Sequence, residues 1–431
     1  MFHLGYFTSV SVQNWTGTWS GRNATEWARP SLYVDAAKAL ERAGFDCLVF
    51  EDSLQVQEAY GSSMECALRS GMGAKLDPML FLPVIARATK HLGVAATVST
   101  SFYPPYLLAR TMATMDSMTG GRVGANLVTT SAHLAAQNFG LDEHVEHDAR
   151  YEMADEWATL VKQLWHSWQP DAVVADETTR TYVDHRKVRT VDFEGRHHRS
   201  RGPLNTLPSP QGHPVLCQAG GSPAGRDFGA KHADLIVSAV RGVDAMRPYR
   251  RDIDARMLEH GRKPDDAKVL YLVAPILGET AEDAEELRRR RDAATEQTMQ
   301  DNLFWMSYYS GVDFAQFDLD APMPDISAQN NGHRSTMADY AAAGAGKTLR
   351  ELAGTHRTTA SVELVGTPDA VAAQMGEIAD DAGADGFLLT GEMSRRAFAA
   401  VADGLAPELR KRGLIRDGYS GSTFRENLLA F

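Results

Sequence analysis

Val215-Leu-Cys-Gln-Ala-Gly-Gly-Ser-Pro-Ala-Gly-Arg226 joins two kinds of structure within a few residues. Its apolar start has the character of a buried strand. Gly220 and Gly221 release the backbone for a turn, Ser222 is a helix-capping residue type, and Pro223 suits the first helical position. The stretch is therefore a strand–turn–helix unit. Its free N–H groups, hydroxyl and positive helix end suit a phosphate. An ordinary βα turn with a serine cap needs the same residues, and the local sequence leaves both readings open.

Similar units extend in both directions. Apolar runs at Leu4–Phe7, Cys47–Phe50, Leu92–Thr97, Val123–Val128, Leu235–Ser238, Val269–Leu277 and Phe387–Thr390 bring the strands to eight. Between them lie helical patterns. Ser31–Ala43 carries Leu32, Ala36, Ala39, Leu40 and Ala43 on one face and stops at Gly44, and Asp77-Pro78 opens another helix. Strand–helix alternation implies parallel strands with right-handed crossovers. Eight such units make an α/β fold of the (β/α)8 TIM-barrel kind, with insertions, in a single domain over residues 1–431. An open doubly wound sheet would place a glycine-rich loop after the first strand, where this chain has Thr8-Ser-Val-Ser-Val-Gln-Asn-Trp15. Two segments break the rhythm. Residues 169–212 are polar, with a hairpin expected around Val188–Phe193. Residues 302–364 begin with Phe304, Trp305, Tyr308, Tyr309, Phe314 and Phe317. Long insertions of this kind are lids or binding loops. We expect the second, with Trp15 and Trp19 of the first loop, to cover the barrel mouth; Trp27 belongs to the same loop.

Composition narrows the function. A formal charge of −12, from 44 Lys+Arg against 56 Asp+Glu, speaks against a nucleic-acid surface. The start of the chain lacks a signal-peptide pattern, and no apolar run approaches a membrane span, so a cytoplasmic protein is expected, without nucleic-acid or membrane partners. Three scattered cysteines exclude a disulfide framework or a cysteine zinc module. Gly344-Ala-Gly-Lys-Thr348 lacks the first glycine of a P-loop, since position 341 is Ala, and lacks a preceding strand. Arg288–Arg291 follow Glu285 and Glu286 and form a salt-bridged helix face; Arg196-His-His-Arg199 is expected in a solvated loop.

Polar residues gather at the strand ends. Asp52 follows the second strand, Thr97, Ser99 and Thr100 the third, and Asn126, Thr129 and Thr130 the fourth. At the carboxyl end of a barrel these face the mouth. His147 and Tyr151, four apart, share a helical face and suit a phosphate or a polar ring edge. A metal reading would use His144 and His147 on one face but finds no third ligand at a familiar spacing. A purely structural use of either histidine stands beside these. Amides and hydroxyls, without a paired carboxylate dyad, favour hydrogen bonding to a polar ring over hydrolysis.

Several stretches together resemble the bacterial-luciferase-like flavin monooxygenases, in the branch that holds nitrilotriacetate monooxygenase component A, the pristinamycin synthase large subunit, dibenzothiophene sulfone monooxygenase and long-chain alkane monooxygenase. They are Ala96-Thr-Val-Ser-Thr-Ser-Phe-Tyr-Pro-Pro-Tyr106, Asp116-Ser-Met-Thr-Gly-Gly-Arg-Val123, Asn126-Leu-Val-Thr-Thr130, Asn138-Phe-Gly140, Glu146-His-Asp-Ala-Arg-Tyr-Glu-Met-Ala-Asp-Glu156, Gln218-Ala-Gly-Gly-Ser222, Val365-Gly-Thr-Pro368, Gly383-Ala-Asp-Gly-Phe387 and Arg412-Gly-Leu-Ile-Arg-Asp-Gly-Tyr419. The resemblance implies a (β/α)8 barrel that binds reduced FMN (FMNH2) from a separate NAD(P)H:flavin reductase. It implies insertion of one oxygen atom of O2 into a small organic substrate through a flavin peroxide. Carried over by motif, the flavin contacts are Asp52, Thr97, Asn126, His147, Tyr151 and Ser222; no catalytic residue and no metal ligand is assigned. The chain departs from the branch at Ala125, where tryptophan is usual, at Trp19-Ser20, where Trp-Arg is frequent, and through Phe304–Leu364. The aromatic residues of the first loop and of Phe304–Phe317 point to an apolar or aromatic substrate, and lid packing would use the same residues. A homo-oligomer, dimer or tetramer, is expected. The competing readings are a deazaflavin-dependent oxidoreductase on the same barrel, a non-catalytic flavin-binding protein and, more remotely, a metal-dependent hydrolase.

Overall fold

The computed structural model describes residues 1–12, 25–293, 295–324, 334–354 and 360–431, with the side chains of 334–336 left aside. Eight parallel strands close into a barrel: β1 (His3–Ser9), β2 (Cys47–Glu51), β3 (Gly93–Ser99), β4 (Val123–Val128), β5 (Val215–Gln218), β6 (Leu235–Ser238), β7 (Lys268–Val273) and β8 (Gly386–Thr390). The expected strands are all present. The seventh stops earlier than its apolar run. Pro275 has no N–H to give a ladder, and Ile276–Leu277 pairs instead with Val365–Gly366 in a separate two-stranded sheet.

The outer helices follow their sequence cues. The first, α1 (Pro30–Ala43), buries Leu32, Tyr33, Ala36, Ala37 and Leu40, and ends at Gly44 with φ +88°. Next come α2 (Pro105–Thr119), α3 (His147–Trp165), α4 (Pro223–His232) and α5 (Val243–Glu259). Asp77 accepts from Met79 N–H as predicted, opening a 3-10 turn that leads into Leu82–Arg87. Between α3 and β5 the polar excursion forms two hairpins, Val173–Asp176 with Thr181–Val183 and Phe193–Glu194 with Arg199–Ser200. The single hairpin expected at Val188–Phe193 is therefore displaced. Gly195 supplies the second turn, and Glu156 fixes it by accepting from the N–H groups of Arg196, His197 and His198 at 2.8, 2.8 and 2.5 Å.

The insertion after β7 holds α6 (Glu296–Ser310) and α7 (Arg334–Gly344). It has a small apolar cluster of its own, including Leu303, Met306, Phe314, Leu349 and Leu352. Gly344 ends α7 and Thr348 caps the following turn reciprocally with Glu351, so the P-loop-like stretch is a helix junction. Arg288–Arg291 are ion-paired to Glu285, Glu286, Asp292 and Glu363, as a salt-bridged face requires.

The amino end of the barrel is plugged. The short helix α8 (Phe424–Leu428) inserts Phe424 and Leu428 among inward residues Cys47, Val49, Ala95, Val215 and Cys217. A Cβ on Gly93 would lie 2.3 Å from the Phe424 ring, so glycine there is a condition of the plug. Arg425 binds Asp234 at 2.7 and 2.9 Å and ties the helix to the barrel. No helix among the described residues is long and apolar enough to cross a membrane.

Candidate active site

Parallel strands send their carboxyl ends to one face. There they enclose a cavity of about 590 Å3. Asp52, Thr97, Asn126, His147, Tyr151 and Ser222, drawn from five stretches of sequence, all line it.

One wall is a chain of polar groups. β3 and β4 pair Thr97 directly with Asn126. The Asn126 amide donates to Thr97 Oγ1 at 2.8 Å, and that hydroxyl donates to the Phe50 carbonyl at 2.8 Å. The network orients Asn126 and leaves its Oδ1 buried with no partner among the described residues. Gln218 Oε1, at the end of β5, is in the same condition. Buried acceptors of this kind are costly unless a ligand donates to them.

The second wall is the glycine turn. Ser222 caps α4, its Oγ accepting from Gly225 N–H at 3.1 Å. Tyr151 reaches in from α3; the hydroxyls of Ser222 and Thr129 hydrogen-bond its phenol, whose pKa burial raises. A Cβ on Gly220 would fall 2.2 Å from Gln218 Nε2 and 2.8 Å from Tyr151 Oη. Only glycine lets backbone and phenol approach so closely. Hydroxyls, a phenol and a helix N-terminus converge on this concavity, a donor set that fits a phosphate. The buried acceptors on the first wall fit the N–H edge of a flavin ring. On these observations the residues present suit a flavin mononucleotide.

Helix α3 supplies the remaining polar groups. Glu146 caps it, accepting from the N–H groups of Asp148 and Ala149, which makes His147 the first helical residue. His144 consequently lies outside the helix, and the shared face imagined for His144 and His147 does not exist. Its Nε2 pairs with the Thr130 carbonyl at 2.6 Å, steadying a residue whose φ is +47°. His147 is buried against the cavity, its Nδ1 2.7 Å from Asp148 and its ring 5.2 Å from that of Tyr151. Among the described residues no three His, Cys, Asp or Glu side chains are grouped to hold a metal.

Asp52 ends the β2 side of the mouth. Its Oδ1 accepts from Ser53 N–H at 2.9 Å. Burial pushes the carboxyl pKa up to about 7; Glu51 and Asp77 add to the rise, while Lys75 and the Ser53 N–H oppose it.

The insertion forms the roof. Trp305, Tyr308, Tyr309, Asp339 and Tyr340 line the cavity. Trp305 and Tyr309 stack at 5.7 Å, and Tyr308 tilts against Tyr309 at 5.0 Å. Arg241, beyond β6, pairs with Asp339 of α7 at 3.4 Å and links barrel to roof. Trp15 and Trp19 lie outside the described residues. Trp27 packs instead beside α1, its carbonyl accepting from Tyr33 at 2.8 Å.

Sequence reasoning missed Arg150 and Gln218, both cavity-lining and buried, and the Arg241–Asp339 pair. Arg150 and Gln218 both stood inside quoted motifs without being singled out. The ion pair joins residues 98 positions apart and left no local trace.

A (β/α)8 barrel whose mouth combines a glycine turn at a helix start, buried acceptors without partners among the described residues and an aromatic roof has the form of a cofactor-binding enzyme. Residues 2–386 match the model of the luciferase-like monooxygenase family, and the chain belongs to that family. It is 35% identical to dibenzothiophene-sulfone monooxygenase of Rhodococcus erythropolis (strain XP) over 436 aligned positions, covering 99% of this chain and 96% of that protein. Dimethyl-sulfide monooxygenase of Hyphomicrobium sulfonivorans is 33% identical, with 98% and 88% covered. A crystal structure of riboflavin lyase with modified FMN and riboflavin superposes with a TM-score of 0.87 at 31% identity, covering 100% of this chain and 96% of that one. The resemblance seen in the motifs thus holds along the whole chain. The protein is a flavin-dependent monooxygenase that uses reduced flavin.

Proposed function

We propose that the cavity binds reduced FMN, handed over by a separate NAD(P)H:flavin reductase, and that the enzyme transfers one atom of O2 to a small apolar or aromatic substrate held under the roof. The observation that carries this reading is the Gly220–Ser222 turn against Tyr151, where two separate segments meet beside the cavity too closely for a side chain at Gly220. Ser222, Tyr151 and His147 would hold the phosphate. Asn126, steered by Thr97, would fix the ring edge together with Gln218. Bound reduced flavin supplies the two electrons that activate O2. The chain's own task is to orient the reactants and exclude water, and Trp305, Tyr308 and Tyr309 close the side facing solvent. The electrons and atoms balance as FMNH2 + O2 + S → FMN + SO + H2O. Sulfur compounds figure in the names of both relatives quoted above, which supports testing sulfones and sulfides first.

Two measurements test the proposal. Anaerobic titration should show reduced FMN binding more tightly than reduced FAD, whose adenylate has to pass the Ser222 turn. A substrate panel with a flavin reductase, NADH and O2, read by product mass, should give a product heavier by one oxygen. Preference for FAD, or binding of neither flavin, overturns the cofactor reading.

A further inference from the structure

Three carboxylates line the cavity: Glu51, Asp52 and Asp339. Two of them are matched by cations. Lys75 Nζ binds both oxygens of Glu51 at 2.7 and 2.5 Å, and Arg241 pairs with Asp339. Asp52 differs from both. Among the described residues its one hydrogen bond is the Ser53 N–H, and no cation lies against it. The charged and titratable groups that face it are Glu51 on its own strand, Lys75 and Asp77 from the following loop, Tyr103 beyond β3, and Tyr308 from α6. Lys75 is already committed to Glu51. Asp52 is thus an acid aimed into a half-closed, aromatic-roofed chamber without a counter-ion of its own.

The reaction needs such a group. One oxygen atom of O2 goes to the substrate and the other leaves as water, whose two hydrogens come from the reduced flavin. We propose that Asp52 is the catalytic acid that protonates the departing oxygen. It recovers a proton as the flavin returns to its oxidised form, so no net proton is consumed and the carboxyl ends each cycle as it began. With burial pushing its pKa up to about 7, the carboxyl holds and releases a proton near neutral pH, which proton transfer in both directions requires. The proposal rests on the flavin reading of the cavity.

The test needs no organic substrate. Without one, reduced flavin and O2 give oxidised flavin and H2O2, and the departing peroxide draws its proton from the same acid. Reduced FMN-loaded protein is mixed with O2 across the neutral pH range, and flavin reoxidation is followed by absorbance. In the unaltered enzyme the rate should fall as pH rises through about 7. At saturating FMN, Asp52→Asn should be about a hundredfold slower, with no inflection, and Asp52→Glu should restore both rate and inflection. Infrared titration of the flavin-free protein supplies a readout independent of turnover: a protonated carboxyl band that vanishes as pH rises through about 7 should be missing in Asp52→Asn. A rate within twofold of the parent, an inflection surviving in Asp52→Asn, or a loss of FMN affinity without a loss of rate would overturn the assignment. If Asp52→Asn does not fold, Asp52→Glu decides, and a flat profile there also overturns it. Failure of the flavin reading is separate, since the unaltered protein would then not bind reduced FMN.

Discussion

Ser222 does two jobs with one oxygen, capping α4 through Gly225 N–H and meeting the Tyr151 phenol. Ser222→Ala should cost about 1 kcal/mol of stability through the lost cap. Losing its bond to a phosphate should cost a further 1.5–3 kcal/mol of binding, or roughly a tenfold to hundredfold weaker FMN affinity in fluorescence titration. An unchanged affinity in the folded variant would remove Ser222 from the cradle. Gly220→Ala probes the same place by crowding. Its methyl would meet Gln218 Nε2 at 2.2 Å, which a side chain can relieve, and Gly225 Cα at 2.9 Å, which it cannot. FMN affinity should drop further than in Ser222→Ala, and wild-type affinity would show that the turn tolerates a side chain. Asp52 gives a pH-dependent prediction. Its folded pKa, about 7, lies above its ordinary value of 3.8, so the folded state holds the proton more tightly. Its contribution to stability is therefore complete below about pH 4, is lost as pH rises toward 7 and is constant above that. Asp52→Asn should raise the melting temperature of the flavin-free protein at pH 8, by more than at pH 4. An equal effect at both would contradict the shift.

At the scale of elements, the insertion after β7 sets itself apart by its own apolar cluster while its aromatic helix roofs the barrel. Replacing residues 302–364 by a short linker should leave FMN affinity within a few-fold and raise H2O2 release per NADH several-fold, because water then reaches the reacting centre. An unchanged ratio of product to peroxide would reduce the insertion to an external ornament. The strands and helix caps were legible in the sequence because period, proline and glycine act locally: Gly44, Asp77 and Ser222 stand where they were expected. The six flavin candidates were legible as strand-end and helix-face polar residues, and their convergence follows from the barrel. What escaped was set by distance. The excursion's second hairpin depends on Glu156 from α3, and the orientation of Trp27 depends on α1. His144 looked helical until Glu146 proved to be the cap.

Over the whole molecule, the barrel is shut at its amino end by Phe424 and Leu428. Phe424 is fully buried and fills the space that Gly93 leaves. Phe424→Ala should cost about 3–5 kcal/mol, read as a lower denaturation midpoint, with the cavity at the opposite end of the barrel little changed. A loss below about 1 kcal/mol would mean that the plug is dispensable. The closed floor also governs traffic. With the floor plugged by Phe424 and Leu428, flavin, O2, substrate and product have to come and go on the roofed side, so the vessel empties on the side from which it fills. A lingering product would stand in the way of the next reduced flavin, and release of one turnover's cargo becomes the gate for the next.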